Sequence, residues 1–323
     1  MFLLVKGNIP WWFPVLVTIV VKDGVTSIFL KRVVISAGRY ERYFLQYFFA
    51  WLCAMFFWII TQGYNNTISP IAVPWLGLIP AVAVIYCIGL FNGISTTFYW
   101  RALDISLSKS HFFLFIDDAI AISLSLIVLK EFQIMNAGLA AGITISFSSI
   151  ILFTVHSLNK SAVDLGNKQI SSLKSEKKLW YYIIIHSLMH GIIMFLMKYT
   201  TTNSVPVNIF LLSWYGGSLT VASVILLLNK SVRLDNVFTK NHLKIMPIIG
   251  CLIVITLGLL YWSYEMAPQT VVQPIFFITQ MTLPVLIGLY WFDEKKTFDI
   301  KERIIFLIGA MGSALMFLSY NAP

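Results

Sequence analysis

The chain has 323 residues, 58% hydrophobic and 11% charged, with 23 Lys/Arg against 14 Asp/Glu. So little charge excludes an ordinary soluble domain, and apolar stretches of the roughly 20 residues that a bilayer crossing needs recur along its length. The formal net charge of +9 resides in short connecting stretches, where loop Lys and Arg account for it, so it is no nucleic-acid signal.

Charge clusters and Pro/Asn-rich turns divide the chain into about ten predicted spans. Their limits are 11–31, 43–62, 75–100, 108–129, 134–156, 179–199, 207–228, 245–264, 270–292 and 303–320. The first span, "VLVTIVVKDGVTSIFL", is interrupted near its middle by Lys22 and Asp23. The third is long enough to tilt or to project from the membrane. The fourth, "FLFIDDAIAISLSLIVLKE", carries Asp117 and Asp118 side by side inside an apolar run. A polar, Ser- and Lys-rich linker at 159–178 separates two units of five helices each, 1–158 and 179–323. The sixth span holds His186 and His190 one turn apart. Cys53, Cys87 and Cys251 all fall in apolar segments and read as small core residues, not as disulfide or metal partners. No small-residue cleavage site precedes the first long apolar run, which therefore does not read as a cleavable signal.

The two units look related. "KDGVTSIFLK" (22–31) aligns with "MHGIIMFLMK" (189–198), pairing Gly24 with Gly191 and Lys31 with Lys198. "FYWRALDIS" (98–106) aligns with "LYWSYEMAP" (260–268), and "LIVLKE" (126–131) with "GLYWFDE" (288–294), ending on Glu131 and Glu294. These matches come in one order and at nearly one offset, which predicts an internal duplication. Five is odd, so the second copy enters the membrane upside down. The fold class expected is an all-α integral membrane protein of ten transmembrane helices as two inverted five-helix repeats, the architecture of many secondary transporters.

Two copies of a five-helix unit, each with a glycine in its first helix and a fourth helix ending in an acidic turn, resemble the drug/metabolite transporter superfamily, in particular its ten-helix EamA-like group. The "YWRALDISLSKSHFF … LKE" and "YWSYEMAPQTVVQPIFF … FDE" blocks carry most of the likeness. The resemblance implies a central cavity lined mainly by helices 1, 3, 4, 6, 8 and 9, open alternately to each side. The chain departs from the usual pattern at helix 4, where Asp118 stands in the place commonly taken by proline. Orientation is contested. Most Lys and Arg lie in the loops after helices 1, 3, 5, 7 and 9, which places both termini outside; the resemblance implies both inside.

An ionisable group inside a membrane span marks a functional site by default. Asp117 and Asp118 are the leading substrate or coupling residues, suited to exchanging a proton for a cationic substrate. The alternative is a helix-packing hydrogen bond from a neutral carboxyl. Neighbours on a helix point about 100° apart, so the two need not face the same place. Lys22 and Asp23 rank next: Lys22 either binds a substrate carboxylate or compensates a carboxylate of helix 4. His190, at the repeat position of Asp23, is either a titrating cavity group or a packing residue. With His186 it shares a helix face, but no third metal ligand is legible, and no metal or other cofactor is expected. Gln280, at the repeat position of Asp117, together with Gln46, Asn92, His111, Tyr99, Trp100, Trp214, Tyr215, Trp262 and Glu265, are candidate cavity-lining residues. For the aromatics, interfacial belts or helix packing are the plainer reading, and Glu265 also reads as a membrane-surface residue. Gly89, Gly93, Gly138 and Gly142 show small-xxx-small spacing, a packing device.

No zinc-protease helix, phosphate loop or CxxC pair is present, and no enzyme is expected. The expectation is a secondary active transporter of a small polar or amphiphilic metabolite or drug, proton-coupled and exporting, in a bacterial inner membrane. Its partners are lipid, cargo and protons, not nucleic acid. An anion carrier using Lys22, such as one for sugar nucleotides or organic acids, is the alternative within transport. A non-transporting membrane receptor or assembly subunit is the alternative outside it.

Overall fold

The computed structural model describes residues 9–26, 29, 39–68, 75–105, 115–165, 171–203, 205–229, 237–276, 278–279 and 300–320. Among them there is no strand. Helix α1 (Trp12–Ile19) passes directly into a π-helical stretch, Val20–Thr26. Then follow α2 (Arg39–Ile68), α3 (Trp75–Ile105), α4 (Phe115–Val128), a 3-10 turn (Glu131–Ile134), α5 (Ala137–Leu165) and α6 (Ser171–Thr202). The series ends with α7 (Val207–Leu228), α8 (Lys240–Met266), α9 (269–276) and α10 (Ile300–Ser319).

Five of these helices are long and apolar enough to cross a membrane: Tyr40–Thr61, Ile79–Ala102, Lys178–Thr202, Val207–Leu228 and His242–Met266, within α2, α3, α6, α7 and α8. Large apolar side chains such as Phe56, Val84, Leu227 and Leu228 point outward from them. Such a surface is stable against lipid tails and not in water. The molecule is an all-helical membrane protein. The linker expected at 159–178 is largely taken up by helix, since α5 runs on to Leu165 and α6 begins at Ser171.

Packing follows residue size. Helix α5 lies along α10, α3 against α6 and α7, α2 against α7 and α8, α4 against α6, and α1 against α8. Contact this close needs glycine: a Cβ at Gly217 would stand 2.2 Å from the Tyr86 carbonyl oxygen across α7 and α3, and one at Gly142 2.8 Å from that of Gly312 across α5 and α10. The expected glycine spacing is thus a packing device, with Gly89 set against Trp214 and Gly138 against Ser319.

Two local features position the site. The π stretch adds a residue per turn and puts Lys22 and Asp23 where the regular hydrogen-bond ladder is loosened; Thr26 Oγ1 donates to the Val21 carbonyl at 2.8 Å. At the end of α4, Lys130 adopts a left-handed conformation (φ 56°), disfavoured for a residue with a Cβ, and the chain reverses there into the 3-10 turn that opens on Glu131.

Candidate functional site

Asp117 and Asp118 occupy the first described turn of α4, and both are buried. As their adjacent positions require, they point to different neighbours. Asp117 turns to α6, where its Oδ2 accepts from His190 Nδ1 at 2.7 Å, while its Oδ1 accepts the Asp118 backbone N–H at 2.9 Å. Asp118 turns to α9, where Gln273 Nε2 donates to its Oδ1. Tyr264 of α8 in turn donates its hydroxyl to Gln273 Oε1. Each carboxylate thus has a side-chain partner on another helix, which is the kind of contact the packing alternative for the aspartates describes. Gly191 makes the α4–α6 contact possible: a Cβ there would stand 2.7 Å from the Asp117 carbonyl oxygen.

His190 is the more exposed partner, with 29% of its side chain exposed against 7% for Asp117. His186, one turn earlier, stacks on it at 5.1 Å between ring centroids, and Tyr99 of α3 stacks on His186 at 5.1 Å. His186 is buried, and its Nδ1 lies 2.8 Å from Ser95 Oγ and 3.1 Å from the Ser95 carbonyl oxygen. Tyr99, His186, His190 and Asp117 thus form one column across α3, α6 and α4. Asp117, His186 and His190 each offer a ligand atom within 4.8 Å of the others, a group able to hold a metal ion. Asp117 offers the third potential ligand atom, one that spacing along α6 could not reveal because it comes from another helix.

The π stretch brings two more charged groups near these residues. Asp23 is buried and accepts from Thr279 Oγ1 at 3.0 Å. Lys22 Nζ lies 5.6 Å from the centre of the Phe276 ring and close enough to Asp23, Asp117, Asp118 and His190 to act electrostatically on all four. The five leading residues expected from sequence therefore lie near one another, from the π stretch, α4 and α6.

The lining candidates divide. Tyr99 joins the column. Trp100 lies beneath the guanidinium of Arg42, 5.6 Å from the ring centre, so a cation–π contact exists there with the protein's own arginine. Asn92 donates to Tyr47 Oη at 3.3 Å and Ser218 Oγ at 3.1 Å, in a neutral cluster between α2, α3 and α7. Trp214 packs tilted against Phe210, Tyr215 donates to the Ile253 carbonyl at 2.9 Å, and Trp262 packs edge-on to Phe13, so all three are core residues in their described contacts. Gln46 is half-buried on α2. Glu265 is exposed at the end of α8 and acts electrostatically on Lys198 and Tyr261. Gln280 and His111 lie outside the described residues.

Residues not singled out for the site hold its far side together. Lys198 Nζ donates to the carbonyls of Tyr264 (2.5 Å) and Ala267 (2.9 Å), at the C-terminal end of α8. Glu131 accepts the backbone N–H groups of Gln269 (3.0 Å) and Thr270 (2.9 Å), at the start of α9. A cation on the carbonyl end of one helix and a carboxylate on the amide end of the next are each matched to the helix dipole. They fix the α8–α9 corner that presents Gln273. Both residues were visible in sequence as markers of the duplication. Gln273 and Thr279 carried no signal beyond their polarity.

No protein-family model matches the chain, and no curated protein sequence does. Solved structures do resemble it. One, titled only "Crystal structure of protein", superposes with a TM-score of 0.64 over 96% of this chain and 97% of its own, at 11% identity. At that identity the likeness is one of fold alone, and it extends over nearly the entire helical arrangement just described.

Proposed function

We propose that the chain is a secondary transporter of the drug/metabolite type, with ten spans as two inverted five-helix repeats and a cavity that opens alternately to each side of a bacterial inner membrane. The observation that carries the reading is the cluster itself. In a chain with 11% charged residues, three buried carboxylates and one lysine from the π stretch and α4 gather beside a partly exposed histidine of α6. Charge inside a membrane protein persists where it faces an aqueous path or a cargo.

The helix pairings support the duplication. Shifting every helix number by five turns the α3–α6 contact into α8–α1, and α2–α8 into α7–α3, and it leaves α5–α10 and α2–α7 as they are; all of these contacts occur. The α4–α6 contact, made by Asp117 and His190, has its counterpart in Thr279 of the segment after α9 and Asp23 of the π stretch. A duplicated unit predicts this correspondence.

The three carboxylates outnumber the ammonium of Lys22 by two charges when all are ionised. Protons or a cationic cargo make up the difference, and competition between them couples cargo export to the proton gradient. Because Lys22 shares the pocket, a zwitterion or an anion is the second class of cargo, with its carboxylate on Lys22.

The test is transport in proteoliposomes with a pH-sensitive dye, an imposed gradient, and a panel of amines, amino acids and sugar nucleotides. Substrate-dependent proton movement that is lost in the Asp117→Asn/Asp118→Asn protein supports the reading. Unchanged flux in that variant refutes the assignment of the carboxylates. Ligand binding without flux for any panel member turns the reading toward a receptor.

A further inference from the structure

We propose that Asp117, His186 and His190 bind a divalent transition-metal ion of the zinc class. The proposal goes beyond the transport reading and does not depend on it, since the site exists in the purified chain whether or not cargo moves.

Four observations carry it. The two histidines stand four residues apart on one face of α6, the spacing by which a helix offers two imidazoles to one ion. Asp117 approaches from α4, and one potential ligand atom from each residue lies within 4.8 Å of the other two. A tetrahedral zinc ion, with bonds of about 2.0–2.1 Å, holds its ligand atoms roughly 3.3 Å apart, so small rotations of the rings close the group onto an ion. The contact between His190 and Asp117, now 2.7 Å, opens slightly as the ion replaces the proton they share.

The outer shell is already built. His186 Nδ1 is held by Ser95, with the carbonyl oxygen at 3.1 Å and the hydroxyl at 2.8 Å. A backbone carbonyl on Nδ1 fixes the tautomer and leaves Nε2 as the ligand, the usual device behind a metal-binding histidine. Access is through His190, the open member of the three.

The donor set and the charge choose the ion. Two imidazoles and one carboxylate suit zinc, cobalt, nickel or copper, not magnesium or calcium, which take oxygen ligands. Lys22 opposes any cation here, while Asp118 and Asp23 favour one, and a divalent ion cancels the formal excess of two negative charges. Three protein ligands leave one position open, the arrangement of a site that exchanges its ion or its fourth ligand.

The experiment is a Co²⁺ titration of the purified full-length protein in detergent, followed by visible absorption, with Zn²⁺ X-ray absorption on the wild type. Expected are one ion per chain, the intense visible bands of four-coordinate Co²⁺ without a near-ultraviolet thiolate band, and a zinc shell of nitrogen and oxygen with imidazole scattering. His190→Asn and His186→Asn each weaken binding at least tenfold, while Lys22→Met tightens it. Absence of saturable binding overturns the proposal, as does binding that survives both histidine substitutions. A sulfur shell also overturns it, because it places the ion on Cys53 and Cys251, whose Sγ atoms are 2.8 Å apart. The wild-type zinc spectrum decides the matter even if a histidine variant fails to fold.

Discussion

Two of the buried polar clusters among the described residues are built on different terms. The first, between α2, α3 and α7, is neutral. Asn92 joins Tyr47 and Ser218, Tyr43 donates to the Gly93 carbonyl, Ser218 to that of Gly89 at 3.0 Å, and Tyr215 to that of Ile253. Its bonds run to hydroxyls or backbone carbonyls on neighbouring helices, and the cluster asks for no further partner. The second, between the π stretch, α4, α6 and α9, holds ionisable groups, and its carboxylates exceed its lysine. A closed neutral network is packing. An ionisable one beside a half-open histidine is incomplete without protons, an ion or cargo.

The largest effect that tests this contrast comes from the carboxylates. Asp117→Asn/Asp118→Asn preserves size and most hydrogen-bonding capacity, so the protein should reach the membrane and elute from size exclusion as wild type. Cargo flux in proteoliposomes should fall at least a hundredfold. Retained flux removes the distinction between the two clusters.

Gly191→Val comes next. Its added atoms meet the Asp117 carbonyl oxygen and Ile120 Cβ, each 2.7 Å from the first of them. Backbone cannot give way as a side chain can, so α4 and α6 must separate. Overpacking of this kind costs about 1–3 kcal/mol. The His190–Asp117 bond should break with it, lowering both the thermal midpoint in detergent and the flux. A normal midpoint with normal flux would show that the α4–α6 contact does not position the site.

Much of this was legible in the sequence, for physical reasons. An ionisable residue in an apolar run stands out because lipid excludes it, so Lys22, Asp23, Asp117, Asp118 and His190 are legible as candidates, and the structure brings them near one another. The helices too were legible: α7 has the predicted limits, Val207–Leu228. What stayed hidden depends on three-dimensional register. No periodicity reveals that α1 changes to a π-helix at Val20, that Asp117 lies opposite His186 and His190, or that Gln273 reaches Asp118. For the aromatic candidates the described contacts are those of the plainer reading, helix packing. Trp214, Tyr215 and Trp262 carry polar tips, but in a membrane bundle such tips are often satisfied by a carbonyl of the next helix, as Tyr215 is.

Glu131→Gln tests the outer support of the ionisable cluster. The carboxylate accepts from two N–H groups at the start of α9, and the amide can replace only one oxygen. By analogy with other helix caps the loss is about 1 kcal/mol, read as a lower thermal midpoint. Flux should fall severalfold, because α9 carries Gln273 to Asp118. A lower midpoint with full flux would confine Glu131 to stability.

The smallest effect belongs to the neutral cluster. Tyr47→Phe removes a hydroxyl that lies 3.0 Å from Thr96 Oγ1 and 3.3 Å from Asn92 Nδ2. Both partners keep another bond: Asn92 Nδ2 to Ser218 Oγ at 3.1 Å, and Thr96 Oγ1 to the Asn92 carbonyl at 2.8 Å. Interhelical hydrogen bonds in membranes are worth about 0.6 kcal/mol on average, since the alternatives within the bilayer also find partners. The thermal midpoint should therefore move little and the flux less than twofold. If flux instead falls tenfold at unchanged stability, the Tyr47 hydroxyl acts in transport, and the path taken by the cargo runs through α2, α3 and α7 as well as through the carboxylates.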